Sequence, residues 1–178
     1  MTREKVLQVI ETYRDLFVKM GVGKIDCPHD ELLGEPSLGA ESYSVIETCR
    51  SFFVERGIGK IDYPHEELLA DPNLGLEHCH GMIDKMVEFV REGRFEKTFR
   101  WLGFIQGVLW SNEVFNLDHP NLGLKHCHGM LDKIVEFVQE GRMEKAFHYL
   151  GFIQGVLWSN RVYTLEDLKN QNRPDQAK

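Results

Sequence analysis

The chain has 178 residues, of which 42% are hydrophobic and 28% charged, the balance of a soluble globular protein. Its formal net charge of −7 argues against nucleic acid as the main partner, because phosphate binding relies on clustered Lys and Arg. No run approaches the roughly 18 apolar residues of a membrane helix, and the opening MTREKVLQ lacks a signal-peptide core. We therefore predict a cytoplasmic protein without a nucleic-acid or membrane partner.

The first half of the chain contains one segment twice. Residues 10–39, IETYRDLFVKMGVGKIDCPHDELLGEPSLG, recur at 46–75 as IETCRSFFVERGIGKIDYPHEELLADPNLG, displaced by 36 residues. Apolar residues at helical spacing predict a helix from Thr2 to Met20, with Thr2 as its N-cap, and a shorter one from Ser42 or Ser44 to Arg56. The Gly- and Pro-rich remainder of each copy predicts a loop, with one helical turn at residues 29–33 of the first.

Each of these loops carries an Asp-x-Pro-His element. Asp26 and His29 form the first, and Asp62 and His65 form the second. An Asp beside a His is a candidate acid–base pair. A His that caps a loop beside an Asp is the simpler interpretation, so we expect a structural role.

The second half is also repeated. Residues 76–115 recur at 124–163, displaced by 48 residues. The pattern predicts a helix from Leu76 to Glu92 and another from Phe95 to Asn112, which returns at 143–160. The stretch FRWLGFIQGVLW is apolar almost all round, which is typical of a buried central helix. Thr164 then caps a short helix that ends at Pro174.

The order of the four segments reveals a nested duplication. Removing residues 40–123 joins Gly39 to Leu124, which reproduces the junction between the first-half and second-half segments seen intact at Gly75 and Leu76. What remains is a 94-residue unit made of residues 1–39 and 124–178. A shortened copy, residues 40–123, is inserted in a loop of this unit. We call the 94-residue unit the outer copy and the inserted segment the inner copy. Two units this small are marginal alone, so we expect one shared core. The predicted fold is an all-α helical bundle with about six main helices and a pseudo-two-fold axis, in which the chain is its own partner as an intramolecular pseudo-dimer.

The repeated GFIQG sequence predicts where the copies meet. Gly103 and Gly107, like their equivalents, lie one turn apart on the most apolar helix, where small residues let two backbones approach closely. A buried Gln between such glycines needs a hydrogen-bond partner. We expect the two Gln side chains to bond each other or, alternatively, to reach solvent. The predicted pseudo-dimer core comprises Gly103, Gln106, Gly107, Trp110, Gly151, Gln154, Gly155 and Trp158.

Two further groups are candidate ligand residues. Basic and aromatic side chains recur at the start of each central helix and suggest a ligand pocket, formed by Arg94, Lys97, Trp101, Arg142, Lys145 and Tyr149. Four histidines flank the repeated cysteine, at His78, His80, His126 and His128. Residues two apart on a helix point about 200° away from each other, so neighbouring histidines cannot hold one ion. We therefore predict packing histidines, no metal and no other cofactor. The alternative is a metal site assembled between the copies, or with His29 and His65 from the loops.

The sequence EKAFHYLGFIQGVLWSNRVYTLEDLKNQNRP, residues 144–174, resembles the ending of small, uncharacterised helical proteins encoded by bacteriophages and prophages. Residues 96–110, 144–158 and 164–174 carry the resemblance. The chain departs from that group in having Ser-Asn where a small residue and Gly are usual before Val162. The resemblance implies a phage or prophage origin. It implies no activity, ligand or catalytic residue.

The functional prediction is a binding protein rather than an enzyme. The sequence has no Gly-rich phosphate loop and no nucleophile motif. We predict a non-enzymatic interaction protein of phage type. Two copies this similar are also typical of an engineered single-chain dimer without its own activity, knotted if the parent dimer is entwined. The alternative is a ligand-sequestering protein that binds a nucleotide-like small molecule between the copies.

Overall fold

The computed structural model describes residues 1–25, 40–114 and 122–173, and seven helices lie within these ranges, with no strand among them. The predicted all-α bundle is confirmed. The predicted helical turn at residues 29–33 lies outside the described residues. No helix in the described ranges is both long and apolar enough to cross a membrane. The helices are α1 (Arg3–Lys19), α2 (Ala40–Glu55), α3 (Pro72–Arg91), α4 (Phe95–Val114), α5 (Leu122–Gln139), α6 (Met143–Ser159) and α7 (Leu165–Asn172).

Capping residues decide where several helices begin. The Thr2 hydroxyl accepts the Lys5 N–H at 3.2 Å, as its N-cap position requires. α3 begins at Pro72, earlier than predicted, because the Asp71 carboxylate accepts the Asn73 N–H at 2.7 Å and proline suits the first helical position. The segment Pro-Asn-Leu-Gly, predicted as loop, is therefore the first turn of α3. α2 likewise starts before the predicted serines, at Ala40.

Two hydrophobic clusters form the interior. One is built mainly on α1, α5 and α6, and the other mainly on α2, α3 and α4. Phe99 of α4 lies in the first cluster, and Trp158 of α6 and Leu168 of α7 lie in the second. The clusters therefore separate the described residues of 1–39 and 124–178 from those of 40–123, while individual side chains connect them.

Equivalent ion pairs connect α2 to α3 in one cluster and α1 to α5 in the other. In one, Asp84 of α3 contacts Arg50 of α2 at 2.6 Å. In the other, Asp132 of α5 contacts Arg14 of α1 at 2.9 Å. These pairs are largely exposed and contribute little stability, but they show that α1 adjoins α5 and α2 adjoins α3.

α4 and α6 cross at the centre of the molecule with their backbones in contact. A Cβ atom added at Gly103 would lie under 3.0 Å from the backbone of His148, and one added at Gly151 equally close to that of Arg100. Since no side chain fits at these positions, the glycines set the separation of the helices. One turn further along each helix, a Cβ atom added at Gly107 would lie equally close to the Phe152 backbone, and one added at Gly155 to the Phe104 backbone.

These contacts are reciprocal. His148 is the repeat equivalent of Arg100, and Phe152 is the equivalent of Phe104. Equivalent glycines therefore contact equivalent residues of the opposite helix. Reciprocal contacts are those that a two-fold axis produces between identical chains. The α4–α6 crossing therefore brings equivalent residues of the two copies into equivalent contacts.

Candidate ligand-binding site

A cavity of about 880 Å³ opens between α3, α4 and α7, and the loop before α3 forms one edge. The charge of its wall differs from that of the whole chain, whose formal net charge is −7. Among the described residues, two acidic side chains line it, Asp62 and Glu96. Six basic side chains from the same part of the chain line it as well, namely Lys85, Arg94, Lys97, Arg100, Lys169 and Arg173.

α7 closes one side of this cavity. Leu168 is buried in the cluster of α2, α3 and α4, and the Glu166 N–H donates to the His65 carbonyl at 2.9 Å. α7 follows α6 in the chain, so a segment of the outer copy covers a cavity of the inner one. The inner copy lacks such a segment, since only NLDHP separates its VF from NLGLKHCH.

Gln154 anchors α7 through a buried amide network. Its side chain exchanges two hydrogen bonds with the Asn172 amide, at 2.9 and 3.1 Å. Its nitrogen also donates to the Tyr13 hydroxyl at 3.0 Å, and that hydroxyl donates to Gln171 at 2.6 Å. Burial raises the pKa of Tyr13, so its phenol stays a neutral donor.

The expectation that Gln106 and Gln154 bond each other is therefore wrong. Gln154 finds its partners on α1 and α7 instead. The partners have no counterparts around Gln106, because Cys49 stands at the position equivalent to Tyr13 and the inner copy has no equivalent of α7. Gln106 is half-buried, and its buried Oε1 has no partner among the described residues.

The basic side chains of the cavity surround two aromatic rings. The Lys97 ammonium lies 4.2 Å from the ring centre of Phe89 and 5.0 Å from that of Trp101. The Arg94 guanidinium lies 4.6 Å from the Phe89 ring. Burial, followed by the charges of Arg94 and Arg100, lowers the pKa of Lys97. These cations therefore destabilise one another, although the rings partly offset the repulsion.

The positive charge is only partly neutralised within the protein. Arg100 pairs with Glu96 at 2.9 Å, and Arg94 pairs with Glu92 at 3.2 Å. Neither Lys85 nor Lys97 forms an ion pair within the described ranges. An anion that entered the cavity would gain the attraction of these two ammonium groups, which form no ion pair in the described part of the chain.

The six predicted pocket residues fall into two clusters rather than one pocket between the copies. Arg94, Lys97 and Trp101 line the cavity. Their equivalents do not line it and instead surround Phe137, which is 4.8 Å from the Arg142 guanidinium, 5.9 Å from the Lys145 ammonium and 5.1 Å from the Tyr149 ring. The prediction of one shared pocket is wrong because each trio packs around the Phe ring of its own copy, Phe89 or Phe137.

The four helical histidines are all buried, with different partners. His80 Nδ1 lies 2.7 Å from the Ile58 carbonyl, and His128 Nδ1 lies 2.7 Å from that of Val22. These two rings fasten the turns after α2 and α1 to α3 and α5, which is a structural role. His78 faces the cavity, while its equivalent His126 packs on Trp110.

A cluster at the cavity edge joins Asp62 and His65 of the loop with His78 of α3, which is close to the alternative left open from the sequence. Asp62 Oδ1 lies 3.7 Å from His65 Nε2 and 3.8 Å from His78 Nδ1. The Tyr63 N–H donates to the same His78 nitrogen at 3.1 Å. Burial lowers the pKa of His78 to about 4, although the Asp62 carboxylate opposes the shift. The available signal was that both copies retain the Asp-x-Pro-His element and the first helical His.

Comparison with known proteins identifies no relative. No protein-family model, no curated protein and no solved structure matches the chain. The resemblance to phage-encoded helical proteins therefore stays a prediction. Function has to be inferred from the cavity and its side chains.

Proposed function

We propose that this chain is a non-enzymatic binding protein that holds an anionic, nucleotide-like small molecule in the cavity between α3, α4 and α7. The main support for this proposal is that basic side chains outnumber acidic ones around the cavity, although the chain as a whole is acidic. A concave wall of one charge sign concentrates ligands of the opposite sign. The volume of about 880 Å³ falls within the usual range for small-molecule sites.

The lining suggests how such a ligand would be held. Lys85 and Lys97 supply ammonium groups without carboxylate partners in the described part of the chain, and arginines suit phosphate oxygens through paired N–H donors. Trp101 is half-buried and offers an aromatic surface to a planar ring. An anion beside Lys97 would also relieve the repulsion that lowers the pKa of this ammonium.

The composition of the wall favours binding over covalent chemistry. No serine, threonine or cysteine among the described residues lines the cavity. Of the two carboxylates, Glu96 is paired with Arg100, and Asp62 faces two histidines. Since hydrolases and transferases commonly use a positioned nucleophile, sequestration is the function that we propose.

The proposal includes the pairing of the two copies, because α7 and Gln154 of the outer copy complete the cavity of the inner one. The reciprocal contacts of α4 and α6 support this intramolecular pseudo-dimer. Phage origin and a cytoplasmic location belong to the same proposal and rest on the sequence alone. The nested order of the copies also fits an engineered single-chain dimer.

Calorimetric titration with ATP, AMP and adenosine tests the proposal. We expect affinity to fall in that order, because each lost phosphate removes attraction to the basic wall. Lys97→Ala should weaken ATP binding at least tenfold. Its repeat equivalent, Lys145→Ala, provides a matched control that also loses an ammonium beside a Phe ring and should change affinity less than twofold. Equal losses in the two variants, or no binding of ATP, would refute the proposed site.

A further inference from the structure

We propose that Asp62, His65 and His78 form a binding site for a divalent transition-metal ion at the edge of the cavity. One donor atom from each residue lies within 4.8 Å of the others. Two imidazoles and one carboxylate are a donor set that suits Zn²⁺ and related ions. This inference goes beyond the proposed function, because the three donors belong to the protein and need no nucleotide.

The distances are close to those of an occupied site. Donors about 2.1 Å from a tetrahedral ion are roughly 3.4 Å apart. The Asp62 oxygen is 3.7 Å from the His65 nitrogen and 3.8 Å from the His78 nitrogen. The two histidine nitrogens lie within 4.8 Å of each other, so shifts between about 0.3 and 1.4 Å would complete the site. The Asp62 and His65 side chains are 77% and 41% exposed and lie on a loop, so they can make these shifts without disturbing the core.

His78 is the fixed member of the set. Its side chain is 8% exposed and is held in α3 between the cavity and Trp158. Its Nδ1 accepts a hydrogen bond and therefore presents a lone pair rather than a proton. That lone pair accepts the Tyr63 N–H at 3.1 Å. Metal binding would exchange this neutral hydrogen bond for a coordinate bond to the ion.

The neighbouring charges indicate how the coordination would be completed. Lys85 is close enough to His78 to disfavour its protonated form and would also repel a cation. Asp62 offsets this repulsion as the one carboxylate among the donors. Three protein donors leave a coordination position open, as in catalytic rather than structural zinc sites. Here the open position would lie at the edge of the basic cavity.

The inference keeps only one of the four histidines considered from the sequence. Neighbouring helical histidines still cannot chelate one ion, because His80 is bound to the Ile58 carbonyl. Asp62 and His65, in the loop that leads into α3, supply the missing donors. The outer copy retains the same residue types at the equivalent positions, Asp26, His29 and His126.

The test is a titration of the chelator-treated full chain with Co²⁺, followed by visible absorption, and with Zn²⁺, followed by calorimetry. We expect saturable binding with imidazole-type Co²⁺ absorption. Asp62→Ala and His65→Ala should each reduce the bound metal by one ion per chain. Both side chains are exposed, so these variants should fold, and circular dichroism checks this. Glu66→Gln, an exposed neighbour outside the donor set, is the control and should bind as the unaltered chain does.

Absence of saturable binding, or unchanged stoichiometry in both site variants, would overturn the metal site. An equal loss in Glu66→Gln would also overturn it, because general surface charge would then explain the binding. These titrations contain no nucleotide, so their outcome is independent of ATP binding. A chain that binds ATP but not metal would contradict this inference alone.

Discussion

Trp158 of α6 lies with its ring centroid 5.5 Å from that of His78 in α3, although the two residues belong to different copies of the repeat. The equivalent pair, Trp110 and His126, makes the same contact at 5.0 Å. Each copy therefore inserts its tryptophan against the histidine of the other. Because His78 also borders the cavity, the shape of the proposed ligand site depends on the pairing of the copies.

The close helix crossing predicts a strong effect of one added methyl group. Gly107→Ala places a Cβ under 3.0 Å from the Phe152 backbone, which cannot move without separating α4 from α6. We expect a loss of about 1–3 kcal/mol in the free energy of unfolding, measured by urea denaturation. The control is Gly23→Ala, whose Cβ would meet nothing within 4 Å and which should change stability by less than about 0.5 kcal/mol. Equal losses would contradict the crossing.

The 94-residue parent, residues 1–39 joined to 124–178, should form a homodimer. It retains α6 but lacks α4, so its glycine-lined face and Trp158 would lie exposed in a monomer. Two parents can bury these surfaces against each other, with each α7 closing the cavity of its partner. Sedimentation equilibrium measures the mass. A folded, monomeric parent would show that the internal pseudo-dimer interpretation is incorrect.

The buried amide network predicts unequal effects at two equivalent positions. Gln154→Ala leaves Tyr13 and Asn172 without their shared partner and should cost on the order of 1–3 kcal/mol in unfolding free energy. Gln106→Ala removes a half-buried amide whose oxygen is unpartnered within the described residues, so it should cost less than half as much. Thermal or urea unfolding distinguishes them. Similar losses would mean that the network does not anchor α7.

Stability should depend on the protonation of His148. This residue is 2% exposed, and burial lowers its pKa from 6.5 to about 4. The unfolded chain therefore takes up a proton first, and stability falls as the pH decreases from 6.5 towards 4, by at most about 1.4 kcal/mol per pH unit for this residue. His78 has a similarly lowered pKa and should contribute in the same direction.

The measurement is urea unfolding at a series of pH values for the unaltered chain and for His148→Leu. Leucine removes the titrating group while keeping an apolar side chain of similar size in the buried position. The variant should lose part of the pH dependence between 6.5 and 4, while His78 and the carboxylates whose pKa is lowered keep the remainder. An unchanged slope would show that His148 does not remain neutral in the fold.

Local patterns in the sequence predict part of this site. Arg94, Lys97 and Trp101 are spaced to share one helix face, so their clustering follows from periodicity. The crossing glycines follow equally from the repeat of GFIQG on an apolar helix. The early start of α3 was missed, because the Asp71–Pro72 pair was interpreted as loop rather than as a cap with its first helical residue.

Long-range packing accounts for what the sequence does not reveal. Gln154 and Tyr13 are 141 residues apart, and no spacing rule connects them. Asp62 reaches His78 only because the loop before α3 folds back over that helix. The contribution of α7 to the cavity depends on how the outer copy lies across the inner one. Repeats locate the helices, but contacts between distant elements require the folded chain.

The central claim is that one chain contains both halves of a dimer and retains one anion-binding cavity. Native mass spectrometry of the full chain with excess ATP tests it most directly, since the spectrum reports oligomeric state and ligand number together. The claim predicts a monomer with one ATP, because within the described ranges an α7 segment covers the inner copy alone. A monomer that binds two equivalents, or an unliganded chain at saturating ATP, would contradict it.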